Sequence, residues 1–152
     1  MIIAVDFDGT IVEHRYPSIG KEYPFAIETL RKLTEEGHRL ILWTVREGQY
    51  LDDAVEFCRS RGLEFYAVNR DYPEEDKDRN NSYTRKIKAD LWIDDRNLGG
   101  LPDWGTIYEM INHNLTYEDL MLRYENHNTC KSPKRSFFQR LINKNQANNN
   151  KK

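Results

Sequence analysis

The sequence predicts an α/β fold built on a mostly parallel central sheet. Short apolar runs rich in Ile, Val and Leu alternate along the chain with longer segments whose apolar residues have helical spacing. Strands that alternate with helices pair in parallel through helical crossovers, because adjacent parallel strands cannot be joined by a tight turn. The 152 residues suffice for one domain whose core needs no disulfide or structural metal.

The first two strands are predicted at residues 1–5 and 39–43. The first is a short run of Ile, Ala and Val followed by Asp and Gly, which is typical of a buried parallel strand. An irregular loop over residues 11–23 follows it. Pro24 suits the first turn of a helix, and Gly37 lies where a left-handed residue would end it. The apolar face of this helix consists of Ile27, Leu30 and Leu33.

Two further strands are predicted at residues 64–68 and 89–93. A helix over residues 50–61 precedes them, and Gly62 is its stop signal. The polar and charged segment 69–82 is predicted to be a loop. Two short helices are predicted after the last strand, at residues 104–112 and 117–124.

The formal net charge of −2 is distributed unevenly. Residues 126–152 contain seven Lys and Arg and no Asp or Glu, which leaves 16 basic and 25 acidic residues in residues 1–125. We therefore expect a main domain over residues 1–125 and a basic tail over residues 126–152. The acidic domain disfavours nucleic-acid binding as the main function, because such binding normally needs a basic surface. The tail is predicted to form a short amphipathic helix that contacts an anionic surface, or to dock on the domain, or to be disordered.

The cysteines and the hydropathy pattern predict a cytoplasmic protein. Cys58 and Cys130 are far apart and match no metal-ligand spacing, and no signal peptide is recognised. No apolar run approaches the length that a membrane span requires.

Asp6 and Asp8 directly follow the first predicted strand at spacing i, i+2. Side chains at this spacing point to the same side of a strand, and open α/β sheets bind ligands at the carboxyl ends of their strands. Two neighbouring carboxylates repel each other, so the pair suits a site that binds a cation or shares a proton. The alternative is a plain turn, because Asp-Gly is typical of turns.

The other predicted strand ends carry further polar side chains. Thr44 and Arg46 follow the second strand, Asp94 and Asp95 follow the fourth, and Lys86 and Lys88 lie just before the fourth. The ends of parallel strands share one edge of the sheet, so we expect these groups to meet in one crevice. Taken singly, Thr44 suits a helix cap, the lysines suit solvated surface charges and the second acidic pair suits a turn.

This set of groups supports phosphoryl transfer through an aspartyl phosphate. A carboxylate is a competent covalent nucleophile, and Mg²⁺ held by Asp6 and Asp94 would neutralise the incoming phosphate. Thr44 can donate a hydrogen bond to the transferring group, and a Lys can neutralise its charge. Asp8 fits a general acid for the leaving alkoxide and a general base for the hydrolytic water.

Four segments resemble, in chain order, the motifs of the haloacid dehalogenase superfamily. They are Asp6-Phe7-Asp8-Gly9-Thr10, the apolar run that ends at Thr44, a Lys upstream of the last strand, and Ile93-Asp94-Asp95. The resemblance covers residues 1 to about 100 and implies a Rossmann-like three-layer α/β/α sandwich.

The resemblance also implies a role for each matching residue. Asp6 would be the nucleophile and Asp8 the acid and base, as in the phosphatases of the superfamily. Thr44 and Lys86 would bind the phosphoryl group. The Mg²⁺ site would be formed by Asp6, Asp94 and Asp95 together with Asp8, where a backbone carbonyl near this residue and waters complete the shell. Ile87 replaces the proline that follows the lysine in relatives, which keeps Lys88 as an alternative to Lys86.

The spacing of these motifs predicts no separate cap domain. Asp6 and Thr44 are 38 positions apart, and Thr44 and Lys86 are 42 apart, which the predicted loops, helices and strand fill. We expect a Mg²⁺-dependent phosphomonoester hydrolase that acts on a small phosphorylated metabolite such as a sugar phosphate or a nucleotide. The alternatives are a nucleic-acid end phosphatase that uses the tail, and a catalytically weak binding or regulatory module. A homo-oligomer in which a neighbouring subunit covers the open site is also consistent with the sequence.

Arg46 is a candidate for substrate contact, because a guanidinium can bind a phosphate or carboxylate with two hydrogen bonds. A surface salt bridge with Glu47 or Asp53 is the alternative. Tyr16 and Arg70 are further candidates by position alone.

Overall fold

The computed structural model of the chain describes residues 1–75 and 87–128. Within these ranges the chain forms four strands and four helices. The strands are β1 (Ile2–Val5), β2 (Arg39–Leu42), β3 (Ala67–Val68) and β4 (Leu91–Ile93). The helices are α1 (Ala26–Glu35), α2 (Gly48–Arg59), α3 (Trp104–Asn112) and α4 (Tyr117–Asn128).

The four strands form one parallel sheet in the order β3-β2-β1-β4. β1 lies inside the sheet, and its Ile3 is in register with Leu40 of β2 on one side and Leu91 of β4 on the other. The predicted α/β fold with a mostly parallel sheet is therefore confirmed. Three of the four residues of each inner strand are buried, as expected for strands that are covered on both faces.

Side chains that alternate along the strands divide between two apolar clusters. Ile3 and Val5 pack in the larger cluster with apolar residues of α1, α2 and α3. Ala4 and Ile41 point to the opposite face and pack in a smaller cluster with Ile87. Since the described helices contribute to the first cluster only, a three-layer sandwich stays a prediction.

The ends of several elements differ from those predicted, for local reasons. α1 begins after the predicted Pro24, because Phe25 has a left-handed backbone with φ of 66° and cannot lie inside a helix. Only two residues of the predicted strand 64–68 pair with β2. Gly37 follows α1 with φ of +87°, which confirms the predicted left-handed stop.

Two compact units divide the chain, Met1–Ile111 and the residues from Asn112 onward. In the described part of the second unit, Thr116 directly precedes α4 and caps it: its N–H and hydroxyl donate to Asp119, and its Oγ accepts from the Asp119 N–H. These bonds from Thr116 lower the pKa of Asp119. α4 continues to Asn128, past its predicted end. The tail predicted over residues 126–152 lies almost entirely outside the described residues, and the boundary predicted after residue 125 stays a prediction.

No helix in the described ranges is both long and apolar enough to cross a membrane.

Cys58 lies on the inner face of α2 and is fully buried. Burial raises the pKa of its thiol to about 12, so the reactive thiolate is scarce at neutral pH. We expect iodoacetamide to leave Cys58 unmodified in the folded protein and to alkylate it in urea, as measured by peptide mass spectrometry. Equal rates of alkylation at Cys58 in both conditions would contradict its placement in the core.

Candidate functional site

The carboxyl ends of β1, β2 and β4 meet at one edge of the sheet, as their parallel pairing requires. A cavity of about 170 Å³ lies at this edge. Its lining residues follow directly from the three strand ends and are Asp6, Asp8, Trp43, Thr44, Val45, Asp94 and Arg96. The sequence therefore predicts correctly that Asp6, Asp8, Thr44 and Asp94 share one crevice.

Three carboxylates of this edge form an acidic cluster. One oxygen each of Asp6, Asp94 and Asp95 lies within 4.8 Å of the others. The pKa of Asp6 is raised to about 6, first by burial and also by the charges of Asp94 and Asp95, while a bond from the Phe7 N–H opposes the increase. Like charges at this distance destabilise one another unless a cation or a proton lies between them.

The acidic cluster fits a divalent cation. The Oδ1 atom of Asp95 is buried and has no hydrogen-bond partner within the described ranges. A buried carboxylate oxygen without a partner is costly, and a bound metal ion would satisfy it. A set of carboxylate oxygens that leaves room for water suits Mg²⁺. Asp6, Asp94 and Asp95 are thus the residues of the predicted metal set that the structure brings together.

Thr10 connects two members of the acidic cluster, a role that sequence reasoning missed. Its side chain is fully buried, and its hydroxyl donates to Oδ2 of Asp6 at 3.3 Å while it accepts the Asp95 N–H at 3.0 Å. The Thr10 carbonyl accepts a bond from the indole N–H of Trp104. The signal available in the sequence was a hydroxyl residue directly after an Asp-Gly pair, which by itself predicts only a turn.

Asp8 is separated from the acidic cluster by an ion pair with Arg46. The guanidinium donates from Nε to one Asp8 oxygen at 2.6 Å and from Nη2 to the other at 2.7 Å. Arg46 is fully buried and Asp8 is 5% exposed. Both carboxylate oxygens of Asp8 are therefore bonded to a cation of the chain itself, and the predicted contribution of this position to the metal site, a backbone carbonyl near Asp8, stays a prediction.

Arg46 is placed differently from both sequence-based expectations. Its guanidinium does not line the cavity, and the surface salt bridges expected with Glu47 or Asp53 are replaced by the buried pair with Asp8. This placement depends on tertiary contacts, because the Arg46 guanidinium bonds to the two oxygens of Asp8 and to the carbonyl groups of Pro17 and Ser18.

Thr44 lies in the loop between β2 and α2 and lines the cavity. Its N–H donates to Asn69 at 2.8 Å, and its Oγ accepts the Arg46 N–H at 3.3 Å. The hydroxyl proton stays available for an acceptor in the cavity, because these bonds use the other groups. The cap alternative for Thr44 is wrong, since Glu47 is the N-cap of α2 and no side chain caps it.

The predicted phosphate-binding lysine stays undecided. Lys86 lies outside the described residues. Lys88 is exposed, donates its backbone N–H to Asp71 and is not among the residues that line the cavity. Tyr16 and Arg70 do not line the cavity either, whereas Arg96, which the sequence reasoning missed, does.

The raised pKa of Asp6 has a consequence for stability. Its value in the folded chain lies above the ordinary 3.8, so the folded state loses stability as the pH rises from 3.8 through about 6. Without divalent metal, Asp6→Asn should therefore stabilise the protein at pH 8 by about 1–2 kcal/mol, which raises Tm by a few degrees, and should have little effect near pH 4. Thermal melts of both proteins at the two pH values, in EDTA, measure this difference. A lower Tm for Asp6→Asn than for the unmodified protein at pH 8 would contradict the idea that burial and repulsion from Asp94 and Asp95 destabilise the ionised Asp6.

No protein-family model matches the sequence, and no curated protein matches it. Among solved structures, a conserved protein from Bacteroides thetaiotaomicron is 67% identical to the chain. The match covers 79% of the present chain and 96% of the Bacteroides protein, with a TM-score of 0.73.

Proposed function

We propose that this chain, which belongs to the same family as the conserved Bacteroides protein, is a Mg²⁺-dependent phosphomonoester hydrolase. The observation that carries the proposal is the acidic cluster, in which the nucleophile candidate Asp6 shares a cation-sized space with Asp94 and Asp95. The order of the motifs, which resembles that of the haloacid dehalogenase superfamily, supports the same assignment and the corresponding sandwich fold.

Asp6 is the proposed nucleophile. Its carboxylate attacks phosphorus, the ester bond to the leaving oxygen breaks, and an aspartyl phosphate forms on Asp6. Thr10 orients Asp6 through its hydrogen bond to Oδ2. Asp6, Asp94 and Asp95 would hold Mg²⁺, which supplies positive charge against the repulsion between the phosphate and this acidic edge.

Asp8 is the proposed proton carrier. It lines the same cavity as Asp6 and Thr44, which supports this assignment. Asp8 accepts a proton from the water that cleaves the aspartyl phosphate, and it gives this proton to the leaving oxygen of the next ester. Thr44 supports both steps by donating its hydroxyl proton to a phosphoryl oxygen.

The remaining cavity wall favours a small ester with an additional anionic or polar group. Trp43 and Val45 supply apolar surface beside Thr44, and Arg96 supplies an exposed cation. A guanidinium at the rim can bind a second phosphate or a carboxylate of the substrate. We propose a small phosphorylated metabolite as the substrate class, in accord with the small cavity.

The test is a screen for phosphate release with and without Mg²⁺. The panel contains sugar phosphates, nucleoside monophosphates, 4-nitrophenyl phosphate and an oligonucleotide with a 3′-phosphate, and Asp6→Asn is the control. Mg²⁺-dependent release that Asp6→Asn abolishes supports the proposal. No release from any compound would sink it, and release only from the oligonucleotide would replace the substrate class.

A further inference from the structure

Arg46 makes four side-chain hydrogen bonds beside the cavity. Besides its two bonds to Asp8, it donates from Nη1 to the Pro17 carbonyl at 3.0 Å and from Nη2 to the Ser18 carbonyl at 2.9 Å. Four of the five N–H donors of a guanidinium are thus used, in a residue with no exposed surface. A buried cation is stable only when paired in this way.

These bonds connect three segments that are distant in sequence. Asp8 follows β1, Arg46 precedes α2, and Pro17 and Ser18 belong to the irregular loop between β1 and α1. The rings of Phe7 and Tyr16 lie 5.0 and 5.3 Å from the guanidinium carbon, which limits its sideways movement. Arg46 therefore contacts both the loop and the proposed proton carrier.

We propose that Arg46 is a positioning residue that holds the Asp8 carboxylate and the Pro17–Ser18 segment in one arrangement, so that loop and carboxylate change position together. This role needs the N–H groups of a guanidinium, which lie on three nitrogen atoms and can reach several acceptors at once. A lysine ammonium has its three donors on a single nitrogen atom. The role in catalysis rests on the proposed function, whereas the connection to the loop does not.

The connection to the loop is tested by hydrogen–deuterium exchange of residues 13–20. Arg46→Lys keeps the charge and loses the fork, so the Glu13 N–H of this segment, which donates to the Lys21 carbonyl, should exchange at least about tenfold faster, while α1 exchanges as before. Arg59→Lys is the matched control, since the ion pair of Arg59 with Glu56 is exposed. Unchanged exchange in residues 13–20 would overturn the proposal.

A second variant keeps the test decisive if Arg46→Lys does not fold. Asp8→Asn retains Arg46 and its bonds to the two carbonyl groups but removes the charge partner. Faster exchange of residues 13–20 in Asp8→Asn supports the joint arrangement of loop and carboxylate. Exchange equal to that of the unmodified protein overturns it.

The effect on catalysis is tested with two leaving groups. An alkyl phosphate needs a proton on its leaving oxygen, whereas 4-nitrophenolate leaves without one. Arg46→Lys should therefore lower kcat for the alkyl ester at least about tenfold more than for 4-nitrophenyl phosphate, with little change in KM. A merely structural loss lowers both rates equally, and that result would overturn the positioning role.

A double variant tests whether Arg46 and Asp8 act together or independently. If Arg46 acts through Asp8, adding Arg46→Lys to Asp8→Asn should cause little further loss of kcat, whereas independent roles give losses that multiply. Should the unmodified protein release no phosphate at all, the proposed function fails, and the exchange measurements still decide whether Arg46 links the loop to Asp8.

Discussion

Asp6→Asn is expected to abolish Mg²⁺-dependent phosphate release, with a loss in kcat of about 10⁴-fold or more, as is typical for removal of a covalent nucleophile. An amide oxygen is a far weaker nucleophile than a carboxylate, and the substitution also removes one of the three carboxylate groups of the acidic cluster. The measurement is phosphate release from the best substrate of the panel, followed for the purified variant over hours.

Loss of folding cannot explain this result if the thermal melts are as expected, because Asp6→Asn should be more stable than the unmodified protein at pH 8 without metal. Asp53→Asn is a matched control: Asp53 is an exposed carboxylate on α2 that accepts a bond from Gln49, and its loss should leave release unchanged. Activity of Asp6→Asn within tenfold of the unmodified protein would exclude Asp6 as the nucleophile.

Gly9→Ala is expected to destabilise the protein by about 3 kcal/mol or more and to disrupt the acidic cluster. Gly9 has φ of +93°, and a Cβ there would lie 2.6 Å from the carboxylate carbon of Asp95. The new methyl group must therefore displace Asp95 from its position beside Asp6. Urea unfolding measures the loss of stability. A smaller increase of Tm on addition of Mg²⁺ than in the unmodified protein measures the loss of metal binding.

Gly37→Ala separates the effect of backbone strain from the effect of the contact with Asp95. Gly37 has a similar φ of +87°, but among the described residues nothing beyond its two chain neighbours lies within 4 Å of the position of its Cβ. Its substitution should cost only the backbone strain, about 1–2 kcal/mol, and should keep the response to Mg²⁺. Equal losses in the two variants would show that the contact between Gly9 and Asp95 is unimportant.

Most of the fold is predictable because its signals are local. The apolar runs of β1 and β2, the helical spacing in α1 and the stop at Gly37 each depend on neighbours within a few residues. β3 is less predictable, because how many of its residues pair depends on the position of β2 rather than on its own apolar content.

The candidate site is predictable to the same extent. Parallel pairing brings the residues after β1, β2 and β4 to one edge, and this follows from the order of the elements alone. The contacts Arg46–Asp8 and Asp95–Thr10 join positions that are 38 and 85 residues apart, so no local sequence pattern predicts them. Arg96 was missed for a related reason: an arginine after an acidic pair has no pattern that separates a cavity-lining cation from a solvated one.

By itself, the sequence determined that carboxylates would gather at the carboxyl edge of a parallel sheet and which residues would supply them. Only the tertiary structure decided which partners each carboxylate has. Asp6 joins Asp94 and Asp95 in a cluster that suits a cation, and Asp8 pairs with Arg46. The spacing i, i+2 predicts a common direction only while the chain is extended. β1 ends at Val5 and the backbone turns at Gly9, so side-chain direction there depends on the long-range contacts that each carboxylate finds.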